Sequence, residues 1–564
     1  MPETFLAKIT IPSVQDIIVR SRKSVDLFNS SQLVPIVLKD GLVSVLDKEN
    51  VEFLVPAVEV LKDKNNLNLT NVSYIKIQGS KEDVKNILQQ IEKKIRNSLI
   101  ERLMRVYDGK KEYEEYKQLI QYQIESSTKI IWSAVKIEKE NLLEKARNEV
   151  DKVVAYLKST IEPDFNIIES FNIFDKTQLI NLYYEDSFDE FLQNAVELKP
   201  ELVKGAYLCE VCGVRTIIGA TKEDYRRSIT KQQEGDRLCG FCFAKRHFQK
   251  KKFKSVVDIA VSDYPYLKEV KQIFTEEGFE DLIKEDIQNI YLNELEKTKD
   301  ENIKSLIQKL KDFYKNHGNP SKYYAVLMMD GDSMGEKVSK AFENTESLME
   351  FTKELSDFAK EVKEIVEKNK GTLVYSGGDD VLALLPVSTT LNCYKEISDE
   401  FKLSTMSGGL IFTHYKLPLN YVLEELRKAE SKAKDAGKNG IYIKYIKPSY
   451  SSKEAFIKKD FYEDFKKLIE LLNHEEFPQT FIYQLEQLLL PYYPHTEETK
   501  IVKTLIEYLI NKKSINKELK KDFLNLITYS KLFSLNHENG ENNIQDLIDK
   551  LKVANFLAKE VKNA

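Results

Sequence analysis

LVYSGGDDVLALLP, Leu373 to Pro386, sets two glycines and two adjacent aspartates between apolar runs. The pattern reads as a two-stranded hairpin, since Gly and Asp tolerate the positive φ that tight tips require. A turn by itself does not ask for neighbouring carboxylates, whose repulsion costs free energy unless a cation or a donor compensates. A second stretch, YYAVLMMDGDSMG from Tyr323, supplies a reason for them. It is a continuous apolar strand of the kind buried on both faces, and it ends abruptly in Asp330-Gly331-Asp332. If that strand lies beside the hairpin, Asp330 and the pair Asp379–Asp380 converge. Hard oxygen ligands of this kind select Mg²⁺ or Mn²⁺, which complete their shells with water and substrate phosphates. Two such ions ~4 Å apart can activate an attacking hydroxyl and stabilise leaving pyrophosphate. Two ordinary turns remain the alternative at this point. Asp332 is a further candidate, because a step of two along a strand faces the same way, although it need not reach the same ion.

Working outward, Tyr323 to Ile446 alternates strand, helix, hairpin, strand, helix and strand, an α+β unit of ferredoxin-like order spanning 317–450. Within it, LRKAESKAKDAGKNG (Leu426–Gly440) reads as an amphipathic helix stopped by Gly437. Lys434, four residues before Lys438, is placed there to meet a triphosphate as a point charge. Residues 1–137 repeat the order: strand FLAKITI, a helix from Ser13, strands EFLVPA and SYIKIQG, a helix capped by Ser80 with Asp83 behind it, and strand TKIIWSAVKI. The stretch 138–316 reads as a mostly helical insert carrying the cysteine segment. Residues 451–564 read as an all-helical C-terminal domain without a chemical motif. The expected fold is therefore α+β, with two ferredoxin-like domains separated by a helical insert and followed by helices.

With 564 residues, the chain is long enough for three or four cores. Its 42% hydrophobic and 31% charged residues describe a globular protein, and a net charge of −5 announces no global nucleic-acid footprint. The start, MPETFLAKITIPSV, lacks the basic and apolar regions of a signal peptide, and no run approaches a membrane span, so a cytoplasmic protein is expected.

Cys209-x-x-Cys212 and Cys239-x-x-Cys242, 26 residues apart, have the knuckle spacing of a closed, tetrahedral four-thiolate Zn²⁺ site with a structural role. A redox C-x-x-C explains one pair but not two. The fifth cysteine, Cys393, reads as a small buried hydrophobe. Next to the second pair, CFAKRHFQKKKFK interleaves basic and aromatic residues. That pattern makes Lys245, Arg246, Lys250, Lys251 and Lys252 possible RNA contacts, the alternative being a solvated helix with its phenylalanines inside.

Together, a G-G-D-D tip, an apolar strand ending in D-G-D and a late A-K-x-x-G-K-N resemble the palm-type nucleotide cyclases. Within that class the chain is similar to the large polymerase/cyclase-like subunit of type III CRISPR effector complexes, most closely the III-B form. Pro12, Val14, Gln15, Arg22, Lys23, Asp26, Leu27, Ser30 and Ser31 resemble that family's first-palm signature, and YLCEVCGVRT and LCGFCFAKRHF its zinc segment. The resemblance covers about four fifths of the chain, and the helical C-terminus fits only by position. It implies a cytoplasmic subunit that works with the other subunits of the complex and with guide and target RNA, and that does not contact a membrane. On target capture it would bind ATP between two palms and join it 3′ to 5′ into cyclic oligoadenylates. Carried over by motif, Asp330 and Asp379 would hold Mg²⁺ or Mn²⁺ with Asp380 in support. Gly331, Ser376, Gly377 and Gly378 would line the nucleotide, and Lys434 would contact phosphate. Many relatives begin with an HD-type nuclease. Here none of the six histidines precedes an aspartate, so no DNA cleavage is expected.

Three other readings stay open. The first is the same fold making a different adenylate conjugate, for nothing in the sequence fixes the acceptor. The second is a catalytically idle ribonucleoprotein scaffold, against which the intact G-G-D-D argues. The third is a free-standing diguanylate cyclase, disfavoured by the cysteine segment and the duplicated palm.

Overall fold

The structure is a computed structural model. It describes residues 3–12, 14–63, 69–138, 142–160, 208–218, 230, 235–249, 253–298, 301–478, 480–492, 495–496, 499–529, 532–533 and 542–563. The chain divides into two compact units, Met1–Phe253 with Gly335–Ala359, and Lys254–Met334 with Lys360–Ala564.

The first unit is built on a four-stranded antiparallel sheet, β1 (Glu3–Thr10), β2 (Val51–Val55), β3 (Val72–Gly79) and β4 (Ile131–Lys136), in the order β2-β3-β1-β4. Alternation along β1 sends Phe5, Ala7 and Ile9 to one face, where they pack with Ile75 and Ile77 against α2 (Ser24–Val43) and α3 (Lys81–Met104). The short α1 (Val14–Val19) precedes α2. Leu6, Leu54 and Tyr74 point the other way and are covered by α4 (Leu143–Thr160) together with Ala341, Phe342 and Leu348. The start of α3 follows from its sequence: Ser80 Oγ accepts from the Asp83 N–H at 3.2 Å, and Asp83 accepts from the Ser80 N–H at 2.8 Å, a capping box.

The second unit carries a six-stranded sheet: β5 (Tyr323–Gly331), β6 (Thr372–Gly377), β7 (Asp380–Pro386), β8 (Met406–His414), β9 (Gly440–Ile446) and β10 (Ser452–Lys458). Its order is β10-β9-β8-β5-β7-β6, parallel only at β8–β9. Strand β5 sits between β7 and β8, which is why it is apolar up to Met329, with Tyr324 to Leu327 fully buried. Helices α5 (Gly240–His247, first unit), α6 (Thr345–Lys368, whose residues up to Ala359 belong to the first unit), α7 (Thr390–Glu400) and α8 (Leu419–Asp435) follow in chain order.

Two expectations are corrected. Residues 451–564 are not all helical, because Ser452–Lys458 forms the edge strand β10, paired antiparallel with β9. Buried Ala455 and Ile457 alternate with the more exposed Glu454, Phe456 and Lys458, the pattern of an edge strand with one face on the core. The helical insert 138–316 is also not one piece. Cys209, Cys212, Cys239, Cys242 and Phe243 join the core of the first sheet, whereas Val257, Tyr264, Tyr291 and Leu310 pack with Tyr415 in the second unit. Among the described residues no helix is long and apolar enough to cross a membrane.

Candidate metal and nucleotide site

The hairpin tip is a two-residue loop, Gly378-Asp379, closed by the pair Gly377↔Asp380. Gly378 has φ +70° and Asp379 does not share the left-handed region, the signature of a turn with Gly at its first central position. Asp379 therefore stands at the tip and Asp380 opens β7. Strand β5 brings Asp330 beside them, since Met329 pairs with Val381. Gly331 makes the approach possible: a Cβ there would lie 3.0 Å from both Cβ and Oδ2 of Asp379 and 2.7 Å from Met334 Cγ. Gly331→Ala is expected to push the tip away and to cost about 1–3 kcal/mol, seen as a lower melting temperature.

The three carboxylates repel one another. Burial first, and then the Asp330 charge, lift Asp379 to about 6 and Asp380 well above its ordinary range. Lys434, in the last turn of α8, supplies the opposing charge. Its Nζ pairs with Asp330 Oδ2 and lies 2.5 Å from Glu430 Oε1. Burial disfavours its ammonium, but those two carboxylates more than offset this and raise its pKa. The helix stops where the sequence puts Gly437, in a Schellman motif: the Lys438 N–H donates to Ala433 O at 3.2 Å and the Gly437 N–H to Lys434 O at 3.3 Å.

Two sequence candidates are relocated. Asp332 does not face this cluster as a free ligand. Its carboxylate accepts from Thr405 Oγ1 and Ser407 Oγ, each at 2.6 Å, and from the Asn439 N–H at 3.0 Å, pinning the β9 entry to the end of β5. Ser376 pairs with Val381, which also pairs with Met329, so it lies on the sheet face opposite Asp330 and Asp380. It is buried there, with its Oγ lacking a hydrogen-bond partner among the described residues.

Several residues of the cluster escaped the sequence reading. Tyr375 lies on the acidic face, its hydroxyl kept protonated by burial and by Asp380. Gly409 lets α8 sit hard on β8, since a Cβ there would be 2.6 Å from Leu426 O and 2.7 Å from Glu430 N. The i, i+4 spacing of Glu430 and Lys434 was the available signal for the first of that pair.

In the first unit, all four cysteine sulfurs lie within 4.8 Å of one another and are buried; among the described residues this is the one such group of three or more potential ligands. Cys212 Sγ and Cys239 Sγ are 3.9 Å apart, far too long for a disulfide and close to the ~3.8 Å edge of a tetrahedron with ~2.3 Å metal–sulfur bonds. These four cysteines could hold a metal.

The basic stretch beside them is corrected. Lys245 and Arg246 are not open to RNA, being 1% and 3% exposed. Arg246 forks onto Asp26 at 2.6 and 2.9 Å and reaches Asp236 at 2.8 Å; Lys245 Nζ donates to Ile17 O at 3.2 Å and Arg20 O at 2.9 Å. The helix register of α5, begun at Cys239, turns both side chains inward onto α1 and α2. Lys250, Lys251 and Lys252 lie outside the described residues.

Strand order and acidic tip together define a palm-type nucleotidyltransferase-like domain, and residues 323–442 match the family model described as "Cas10/Cmr2, second palm domain". That match covers one domain of the second unit, and the chain as a whole is similar to a curated CRISPR protein. It is 26% identical to "CRISPR system Cmr subunit Cmr2" of Pyrococcus furiosus over 79% of its own length, and it spans 62% of that relative's length. Its fold is similar to a chain of the type III-B Cmr-beta complex bound to cognate target RNA (TM-score 0.64, 12% identity, 99% of this chain and 83% of that one). It is also similar to a chain of the Csm1-Csm4 cassette in complex with cA4 (TM-score 0.51, 10% identity, 99% and 70%).

Proposed function

We propose that the chain is the palm subunit of a type III-B CRISPR effector complex and that, on target RNA binding, it converts ATP into 3′–5′ cyclic oligoadenylates. The observation that carries this is the convergence of Asp330, Asp379 and Asp380 with Lys434 at the end of a palm-type sheet. Asp379 and Asp380, lifted by burial and by the Asp330 charge, are poised for divalent cations, whose charge relieves the repulsion. The similar solved chains, one in a target-RNA complex and one with cA4, support the partners and the product class.

Asp330 and Asp379 would hold Mg²⁺ or Mn²⁺, supported by Asp380; bound there, the ions polarise the attacking 3′-hydroxyl and the leaving pyrophosphate. The O3′–Pα bond forms as the Pα–O bond to pyrophosphate breaks, and the 3′-hydroxyl proton passes to solvent. Lys434 supplies a point charge to the triphosphate, and the Gly377-Gly378 backbone admits the nucleotide closely. Four cysteinates would hold a structural Zn²⁺. Guide and target RNA and the remaining subunits of the complex are the partners, and the cytoplasm the site of action. No HD-type nuclease chemistry is proposed for this subunit.

The test is to incubate the assembled complex with ATP, Mg²⁺ or Mn²⁺ and cognate target RNA and to identify products by mass. Target-dependent adenylate rings support the reading; ATP left unchanged overturns it.

A further inference from the structure

Lys434 stands against the carboxylate of Asp330, on the side a divalent cation would approach. Its ammonium pairs with Asp330 Oδ2, an oxygen a divalent ion would take. A monovalent ammonium and a divalent metal compete for one carboxylate, and the cluster has no use for both at that oxygen. The same ammonium has a second anchor, Glu430 Oε1 at 2.5 Å, one helical turn back on α8. The backbone of Glu430 is fixed, because its turn of helix rests against Gly409 of β8 without room for a side chain between them. The backbone of Lys434 is equally fixed by the Schellman motif, so release from Asp330 is a movement of the side chain alone. Lysine, a compact charge on four methylenes, suits such a movement.

We infer that Lys434 is a built-in counter-ion that closes Asp330 to metal until ion and nucleotide arrive together, and that Glu430 is the positioning residue that receives it. This inference rests on the metal-site reading given above. Displaced from Asp330, Lys434 remains tethered to Glu430 and is directed at the incoming phosphates. The contact thus protects an otherwise repulsive cluster and couples metal entry to substrate entry.

The test measures Mn²⁺ binding to the full chain without ATP, by electron paramagnetic resonance of the free ion. Lys434→Met is expected to tighten Mn²⁺ binding by about tenfold, with Lys434→Gln as a second variant should the first fold poorly. Glu430→Gln is expected to weaken it about threefold, because Lys434 then stays on Asp330. In the Lys434→Met background the Glu430 change should fall within about 1.5-fold, the mark of an effect that passes through Lys434. An equal effect of Glu430→Gln in both backgrounds shows a plain loss of negative charge and overturns the proposal, as does unaltered binding in both Lys434 variants. Asp330→Asn separates the two levels. If Mn²⁺ binds that variant as it binds wild type, the metal-site reading itself fails; if binding is lost there but the cycle shows no coupling, only the counter-ion role fails.

Discussion

Asparagine at both Asp379 and Asp380, or alanine at Asp330, is expected to lower adenylate synthesis by about a thousandfold or more, while target RNA binding by the assembled complex is unchanged. The size follows from the chemistry proposed for the site: an in-line displacement at phosphorus has little to lean on once its charge-stabilising ions are gone. Stability is expected to move the other way. Burial and the Asp330 charge lift Asp379 to about 6 and Asp380 well above its ordinary range, so the metal-free protein holds them at a cost. Removing one such charge should stabilise the metal-free chain by about 1–2 kcal/mol, read as a higher melting temperature. A variant that keeps its activity denies these residues the catalytic role. A variant that loses activity together with its fold would say nothing for it, and the melting curve distinguishes the two.

Cys239→Ser, or extraction by a strong chelator of the metal proposed for the four cysteines, is expected to unfold much of the first unit rather than a local loop, at a cost of about 5 kcal/mol or more. The four sulfurs belong to the core of the first sheet, not to a separate knuckle. Cys239 caps α5, and one turn beyond Cys242 that helix carries Arg246 and Lys245. If α5 is lost, Asp26 is left buried without its fork of hydrogen bonds, a further penalty of several kcal/mol. Elemental analysis should return one Zn²⁺ per chain in the wild type and none in the variant. A metal-free variant with an unshifted melting temperature would reduce the cysteines to buried thiols.

The sequence made much of this legible because the informative residues sit where local rules are strict. Gly378 at a positive φ, the Schellman stop at Gly437 and the Ser80–Asp83 capping box are decided within a few residues, and each stands where the pattern put it. The apolar run before Asp330 could only be a central strand. Local pattern failed where its own signal was ambiguous. Ser452–Lys458 has the charges of an exposed helix and the alternation of an edge strand, and only β9 beside it decides between them. Lys245 and Arg246 have the composition of an RNA grip, yet carboxylate and carbonyl partners more than 200 residues away draw them inward. Ser376 sits one residue from a glycine of the tip, and a one-residue step in a strand reverses the face.

What the sequence determined by itself was therefore the chemistry available: three aspartates at two strand–turn junctions, a lysine at a helix end and two cysteine pairs, because residue type and short-range spacing fix turns, caps and ligand sets. What only the tertiary structure decided was which of these meet. Strand order laid β5 against β7 so that Asp330 faces Asp379 and Asp380. Gly409 let α8 close over β8 with Lys434 and Glu430, and hydrogen bonds from β8 and the β9 entry took Asp332 out of the cluster. Those outcomes depend on contacts between segments tens of residues apart, where free energy comes from packing and charge pairing that no local window contains.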